Sequence, residues 1–279
     1  QIIREYLYNP IGIFQEQIFT GDLVTGFMVA ALVGTVIFGG IKRIAKVAST
    51  MVPIMVGIYL LAAIIIIGKN IHFVPNIFLL IFQDAFSGTA VAGGAVGSMI
   101  SIGVRRGLFS NEAGTGTETM AHGAAKTKEP VREGLVAMLG PFIDTIIVCS
   151  ITAIVILLSG VYTQDLNGVS MTVSAFEHEL GTLGKIVIMV AVLTFSLSTM
   201  FGYSYYGRKC TSYLLGTKWK IVYNWFYVMM IVLASTISID IAINFMDSAF
   251  ALMVIPTIIS TILLAPKVLS ESKRYFNQI

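Results

Sequence analysis

Residues 106–118 read Arg-Gly-Leu-Phe-Ser-Asn-Glu-Ala-Gly-Thr-Gly-Thr-Glu, inside an otherwise apolar stretch. Asn111 offers a side-chain amide that both donates and accepts. Gly114 and Gly116 let backbone approach a ligand with no Cβ in the way. Asn, Glu and two glycines oppose a continuous helix. Thr115 followed by Glu118 fits a capping box, which would start a new one. The pattern predicts a helix ending near Ser110, a non-helical stretch over about 109–116 and a second half-helix from about Gly116. Unpaired backbone at membrane depth is tolerated only where it is buried in protein or lines a cavity. Discontinuous helices of this kind carry the substrate and ion sites of secondary transporters. Glu112 is read as a support for the unwound loop, accepting backbone bonds, rather than as a ligand contact.

Other polar residues fall in apolar segments. Ser198 and Thr199 offer hydroxyls, which together with carbonyl oxygens suit a small hard cation. Mid-helix hydroxyls also bond the carbonyl one turn back, so both readings stand at this point. Asp144 is an intramembrane carboxylate and so a functional candidate by default; its simpler reading is a paired structural group. Asp240, Asn244 and Asp247 share one helical face, which lines an outer vestibule or is merely wet. His122 reads as a packing or interface residue. His72 and His178 fall in loops, so no metal triad is visible. Gly93, Gly94, Gly97 and Gly103 read as small residues for close helix packing.

An intramembrane metalloprotease would need His-Glu-x-x-His, and a nucleophilic enzyme a nucleophile beside a base; neither pattern occurs. Gly114-Thr-Gly116 lacks the third glycine of a dinucleotide loop and follows no strand.

The chain has 279 residues, of which 56% are apolar and only 12% charged, with mean hydropathy +0.85. A soluble domain carries about 25% charge, so the composition indicates a polytopic helical membrane protein. Disorder needs the opposite balance. The net charge of +3 is small and forms no basic stripe, which argues against nucleic-acid binding. Cys149 and Cys210 both lie in apolar stretches, against a disulfide framework. The chain begins with Gln1 rather than Met, as a piece of a longer protein would.

A helix needs about 20 apolar residues to cross the hydrocarbon. Windows 22–42, 46–69, 84–105, 185–208, 220–240 and 247–267 are free of internal charge, and the run 135–160 is interrupted only by Asp144. These are seven candidate crossings. Lys and Arg collect on the cytoplasmic side. Lys42, Arg43 and Lys46, then Lys126, Lys128 and Arg132, then Arg208, Lys209, Lys218 and Lys220, and finally Lys267, Lys273 and Arg274 hold most of the 18 basic residues. The alternate connections carry only Lys69 and Lys185. This places the C-terminus in the cytoplasm and the loop from about 161 to 184 outside. The crossing from about 93 to 125 then runs inward. As one straight helix its roughly 33 residues would measure about 50 Å against a core of about 30 Å, so it must be broken, tilted or preceded by a re-entrant piece.

With these motifs laid out, the chain resembles the alanine/glycine:cation symporter family. The resemblance is carried by Arg106 to Gly116, by Ala121-His-Gly-Ala-Ala-Lys-Thr127, by Pro130 to Gly140 and by Phe142-Ile-Asp-Thr145. Phe38 to Ile44 upstream and Ser198-Thr199 with Gly202 to Gly207 downstream continue it. It covers most of the chain from about residue 20. The resemblance implies a leucine-transporter-like fold, all-α and polytopic, with two inverted repeats of five helices whose first helices are broken. By that scheme residues 1–279 form a single transporter domain incomplete at its N-terminus, holding core helices four to ten, with the broken crossing as the sixth. The family's other broken helix carries Gly-Thr-Gly-Asn, which does not occur here. The resemblance also implies sodium-coupled symport of small neutral amino acids, alanine or glycine, into the cell by alternating access. It implies a multi-pass protein of the cell membrane, with no cofactor beyond the coupling ion. Asn111, Gly114, Gly116, Ser110 and Phe109 would be substrate contacts, and Ser198 and Thr199 part of a sodium site. The alternatives are another cation-coupled amino-acid transporter of the same fold, a channel, or a non-transporting membrane subunit; stoichiometric cation-coupled uptake separates them.

Overall fold

The structure is a computed structural model that describes residues 3–14, 17–85, 95–166 and 168–278. In chain order its main helices are α1 (Ile18–Ile37), α2 (Gly40–Lys69), α3 (Val74–Ala85), α4 (Ala95–Ser110), α5 (Glu118–His122), α6 (Pro130–Ser159), α7 (Val169–Leu180), α8 (Thr182–Leu215), α9 (Lys220–Ser235) and α10 (Ile239–Phe276). The described residues contain no strand. Five helices among them, α1, α2, α6, α8 and α10, are long and apolar enough to cross a membrane.

Seven windows thus yield five such helices. Window 220–240 gives α9, which has only 16 residues and stops at residues 236–238 before α10 begins. A charge-free window counts side chains and does not see this turn. The third window is described only in part: Gly93 and Gly94 lie outside the described residues, and α4 has 16 residues. Two prolines, Pro256 and Pro266, do not end α10, which continues for 38 residues. The external loop expected over 161–184 is largely helical, because α7 occupies it. No close packing is seen at Gly103 among the described residues. A Cβ there would meet no described atom within 4 Å.

The chain divides into two compact units, Gln1–Ile71 with Ile154–Ala242, and His72–Ala153 with Ile243–Ile279. In the first unit, α8 packs on α2 and α7, and α1 packs on α9. Its centre is Val33, Ile37, Ile44, Phe201 and Tyr205. Small residues allow these approaches, as expected where lipid is no less apolar than a helix face. Gly26 faces Ser235, Gly207 faces the Tyr223 hydroxyl, and Gly184 faces the backbone carbonyl of Phe176. One end of this unit is polar. Lys69 Nζ donates to the Glu179 carbonyl at 3.0 Å, Asn70 to the Glu179 carboxylate at 2.8 Å, and Lys185 pairs with Glu177 at 3.1 Å.

Gly184 is the most informative of these contacts to test, because its neighbour is backbone that cannot rotate away. Gly184→Ala should lower stability by about 1–3 kcal/mol, the usual cost of overpacking. Thermal unfolding of the purified protein in detergent measures it. An unchanged melting temperature would mean that α7 simply slides aside.

In the second unit, α4, α5, the first part of α6 and α10 from residue 243 surround the stretch 111–117. His122 Nδ1 lies 2.7 Å from Glu133 Oε1, and Arg274 reaches Glu129 at 2.8 Å. His122 therefore holds α5 to the start of α6, a structural role as expected.

Candidate functional site

The helix before the break ends at Ser110, as the sequence indicates. The non-helical stretch is 111–117 rather than 109–116, so Phe109 and Ser110 still belong to the last turn of α4. The second half-helix is shorter and later than expected, five residues beginning at Glu118. The capping box is not formed. Thr117 occupies the N-cap position and makes no side-chain bond to the helix it precedes. Both threonines are committed elsewhere, and that explains the difference.

They are committed to Glu112. This residue has φ +59°, in the left-handed region, which costs a residue with a Cβ about 1–2 kcal/mol. The conformation turns its carbonyl toward the residues that follow. That oxygen accepts the amide of Gly116 at 2.9 Å, the amide of Thr115 at 3.1 Å and the hydroxyl of Thr115 at 2.9 Å. Its carboxylate accepts the Thr117 hydroxyl at 2.8 Å. Thr115 and Thr117 are 3% and 2% exposed, so these bonds are shielded from water. Glu112 supports the loop as expected, but its carbonyl, not its carboxylate, takes the backbone amides.

Gly116 also has a left-handed φ, +73°, and α10 closes over it. Thr257 Oγ1 donates to the Thr115 carbonyl at 3.0 Å and lies 2.9 Å from the Met253 carbonyl. A Cβ on Gly116 would sit 2.7 Å from that hydroxyl oxygen. A Cβ on Gly114 would sit 3.1 Å from the Leu108 side chain.

α6 faces the break through an unusual segment. Phe142–Cys149 is a π-helix of 8 residues, a form that is rare and concentrated at functional sites. It presents Asp144, Thr145 and Cys149 together. Ser110 Oγ donates to Asp144 Oδ2 at 2.6 Å and lies 3.7 Å from Cys149 Sγ. Asn111 Nδ2 donates to Thr145 Oγ1 at 3.1 Å, and Asn111 Oδ1 accepts the amide of Ala113 at 3.1 Å. Asp144 is therefore a paired group, anchored on the last turn of α4.

An amide nitrogen carries two hydrogens and its oxygen two lone pairs. Asn111 uses one of each in these bonds and keeps one donor and one acceptor. Beside it Phe109 meets Phe250 edge-on, with ring centroids 5.1 Å apart. One turn earlier on α4, Arg105 and Arg106 point to Asp247 of α10, at 3.8 Å and 3.5 Å. Asp247 therefore faces two guanidiniums at long range rather than water alone, while Asp240 and Asn244 are exposed. Phe109, Ser110, Asn111, Gly114 and Gly116 thus fall in one neighbourhood. Thr145 and Thr257 join them unannounced, since lone threonines in apolar helices carry no signal of their own.

Ser198 and Thr199 lie on α8 in the other unit. Ser198 Oγ donates to the Phe195 carbonyl at 2.9 Å, one turn back. Thr199 is exposed and makes no hydrogen bond to a described residue. Neither cysteine forms a disulfide among the described residues.

The sequence has counterparts among known proteins. A profile of the sodium:alanine symporter family matches residues 8–279. The sodium/alanine symporter AgcS of Methanococcus maripaludis is 40% identical over 261 residues, which cover 92% of this chain and 57% of that protein. An uncharacterised transporter of Haemophilus influenzae is 41% identical, covering 92% of this chain and 58% of its own length. The probable sodium/glutamine symporter GlnT of Bacillus subtilis is 35% identical, covering 97% and 57%. The chain thus spans somewhat more than half the length of these curated relatives. With the match extending over nearly all of its residues, and with five helices fit to cross a membrane, the chain is a multi-pass membrane protein and belongs to the sodium:alanine symporter family, a family of transporters rather than enzymes.

Proposed function

We propose that this protein carries small neutral amino acids, alanine or glycine, into the cell together with sodium by alternating access. The observation that carries this reading is the break at 111–117, a non-helical stretch inside an apolar crossing with a half-free amide at Asn111. In this reading Asn111, Ser110, Phe109 and the backbone at Gly114 and Gly116 bind the amino acid. Thr199 and Ser198 contribute hydroxyls to a sodium site. The fold is leucine-transporter-like, with residues 1–279 as part of one transporter domain and the break in its sixth core helix. Basic residues between the crossings support a cytoplasmic C-terminus. A second reading, glutamine as the substrate, is supported by the relative named a probable sodium/glutamine symporter.

Uptake by proteoliposomes containing the natural full-length gene product tests both. Labelled alanine, glycine and glutamine are compared with and without a sodium gradient. Sodium-dependent uptake of alanine or glycine supports the first reading, and of glutamine alone the second. No uptake of any of the three defeats both. The ion site has its own test. Thr199→Ala should raise the sodium concentration for half-maximal uptake about tenfold, on the scale of one lost bond to a charged group. Alanine affinity at saturating sodium should be nearly unchanged. An unaltered sodium dependence would remove Thr199 from the site.

A further inference from the structure

We propose that Arg105, Arg106 and Asp247 form a recruitment site that reads the charged end groups of the amino acid before it reaches the break. The inference rests on the break as the substrate site and on α4 running inward from the outer face.

The geometry is not that of a structural ion pair. Arg105 Nη1 lies 3.8 Å from Asp247 Oδ2, and Arg106 Nη1 lies 3.5 Å from Asp247 Oδ1. Two other arginine pairs are shorter, 2.7 Å for Arg4–Asp22 and 2.8 Å for Arg274–Glu129. A guanidinium satisfied by a carboxylate makes bonds of about 2.7–2.9 Å, often two in parallel. Here one carboxylate stands between two guanidiniums and gives that geometry to neither. The Asp247 side chain is 13% exposed, against 51% and 54% for the arginines. Among the described residues the acceptor is enclosed and the donor forks are open.

Among these three side chains the charges do not cancel. Two cations and one anion leave a surplus of one positive charge. Arginine cannot shed a proton to relieve it. An unmatched charge among apolar helices is costly and marks a substrate or ion path by default. The ligand that completes the set is anionic at one end: a carboxylate for the free edges of Arg105 and Arg106. An amino acid brings that carboxylate and an ammonium that Asp247 can face. The three side chains match a zwitterion, with the carboxylate favoured.

Position links this layer to the break. Asp247 and Phe250 are three residues apart and share a face of α10, and Phe250 packs against Phe109. From Arg106 to Ser110 the helix rises about 6 Å. A carboxylate leaving the arginines therefore reaches the break after about one turn, past the aromatic pair.

The test uses the full-length gene product in phosphatidylcholine proteoliposomes. An anionic lipid headgroup would meet the same guanidiniums, and this membrane contains none. In Arg105→Gln/Arg106→Gln the KM for alanine should rise about tenfold or more, the scale of electrostatic focusing, with kcat at saturating alanine near wild type. Raising ionic strength with choline chloride at fixed sodium should raise the wild-type KM by screening and leave the double variant flat. Arg105→Lys/Arg106→Lys retains the charge and should behave nearly as wild type. If the glutamine variant does not fold, Asp247→Asn decides instead: it raises the surplus charge and should steepen the salt dependence. Unchanged KM and salt dependence overturn the proposal. So does a fall in kcat alone, which would mark a structural lock. So does an effect that appears only when anionic lipid is added, which would give the guanidiniums to a headgroup. If the wild-type protein transports no amino acid, this proposal falls with the reading of the break. If it transports and the variants match it, only this proposal fails.

Discussion

Gly116→Ala should abolish uptake, because one methyl group meets two obstacles at once. The left-handed φ of +73° at this position costs about 1–2 kcal/mol for a residue with a Cβ. The new carbon would also lie 2.7 Å from Thr257 Oγ1, an overpacking of about 1–3 kcal/mol. The cheapest escape is to release the amide of Gly116 from the Glu112 carbonyl, which undoes the turn that shapes the break. Removing the obstructing side chain separates the two costs. Gly116→Ala/Thr257→Ala should regain the packing part and not the conformational part, so the two changes should be non-additive, as expected for residues in contact. Thermal unfolding and uptake of the single and double variants measure this. A single variant with normal stability and normal uptake would show that 111–117 does not hold this turn in the membrane.

Asn111→Ala should weaken alanine binding by roughly 10- to 150-fold, since a hydrogen bond to a charged group contributes about 1.5–3 kcal/mol. The structure sharpens the comparison that isolates this effect. Asn111 also holds the amide of Ala113 and the hydroxyl of Thr145, so some loss of stability is expected from the local bonds alone, about 1 kcal/mol as for a lost cap. Thr145→Val removes only the anchor. It should lower stability slightly and leave affinity within a few-fold of wild type. Affinity by isothermal calorimetry and melting temperature on the same preparations decide the matter. Near-normal affinity in Asn111→Ala with a lowered melting temperature would assign Asn111 to the turn and not to the ligand.

The position of the break was legible because its signal is compositional. Asn, Glu and glycines among apolar residues leave few ways to continue a helix, and α4 does end at Ser110. The internal wiring was not legible. Thr115 and Glu118 have capping-box spacing, yet a spacing rule cannot know that Glu112 turns left-handed and draws Thr115 and Thr117 to itself. The partners from other helices were hidden for a different reason. Thr145, Cys149 and Thr257 are ordinary residues in apolar runs, and only packing brings them to the break. Charge-free windows located most crossings and missed the turn at 236–238, because three uncharged residues can end a helix without changing hydropathy.

The wide turns of Phe142–Cys149 have a consequence for how chain length can vary here. An α-helix rotates successive residues by about 100°, whereas each turn of a π-helix takes up more chain. Deleting one residue between 142 and 149 would let α6 tighten into regular α geometry and would improve its own hydrogen bonding. Residues on one side of the cut would then swing by about 100° relative to those on the other. Asp144, Thr145 and Cys149 could no longer all face Ser110 and Asn111. The segment is thus one in which a local gain in helix regularity dismantles a distant contact, so its residue count is constrained even where its residue types are not.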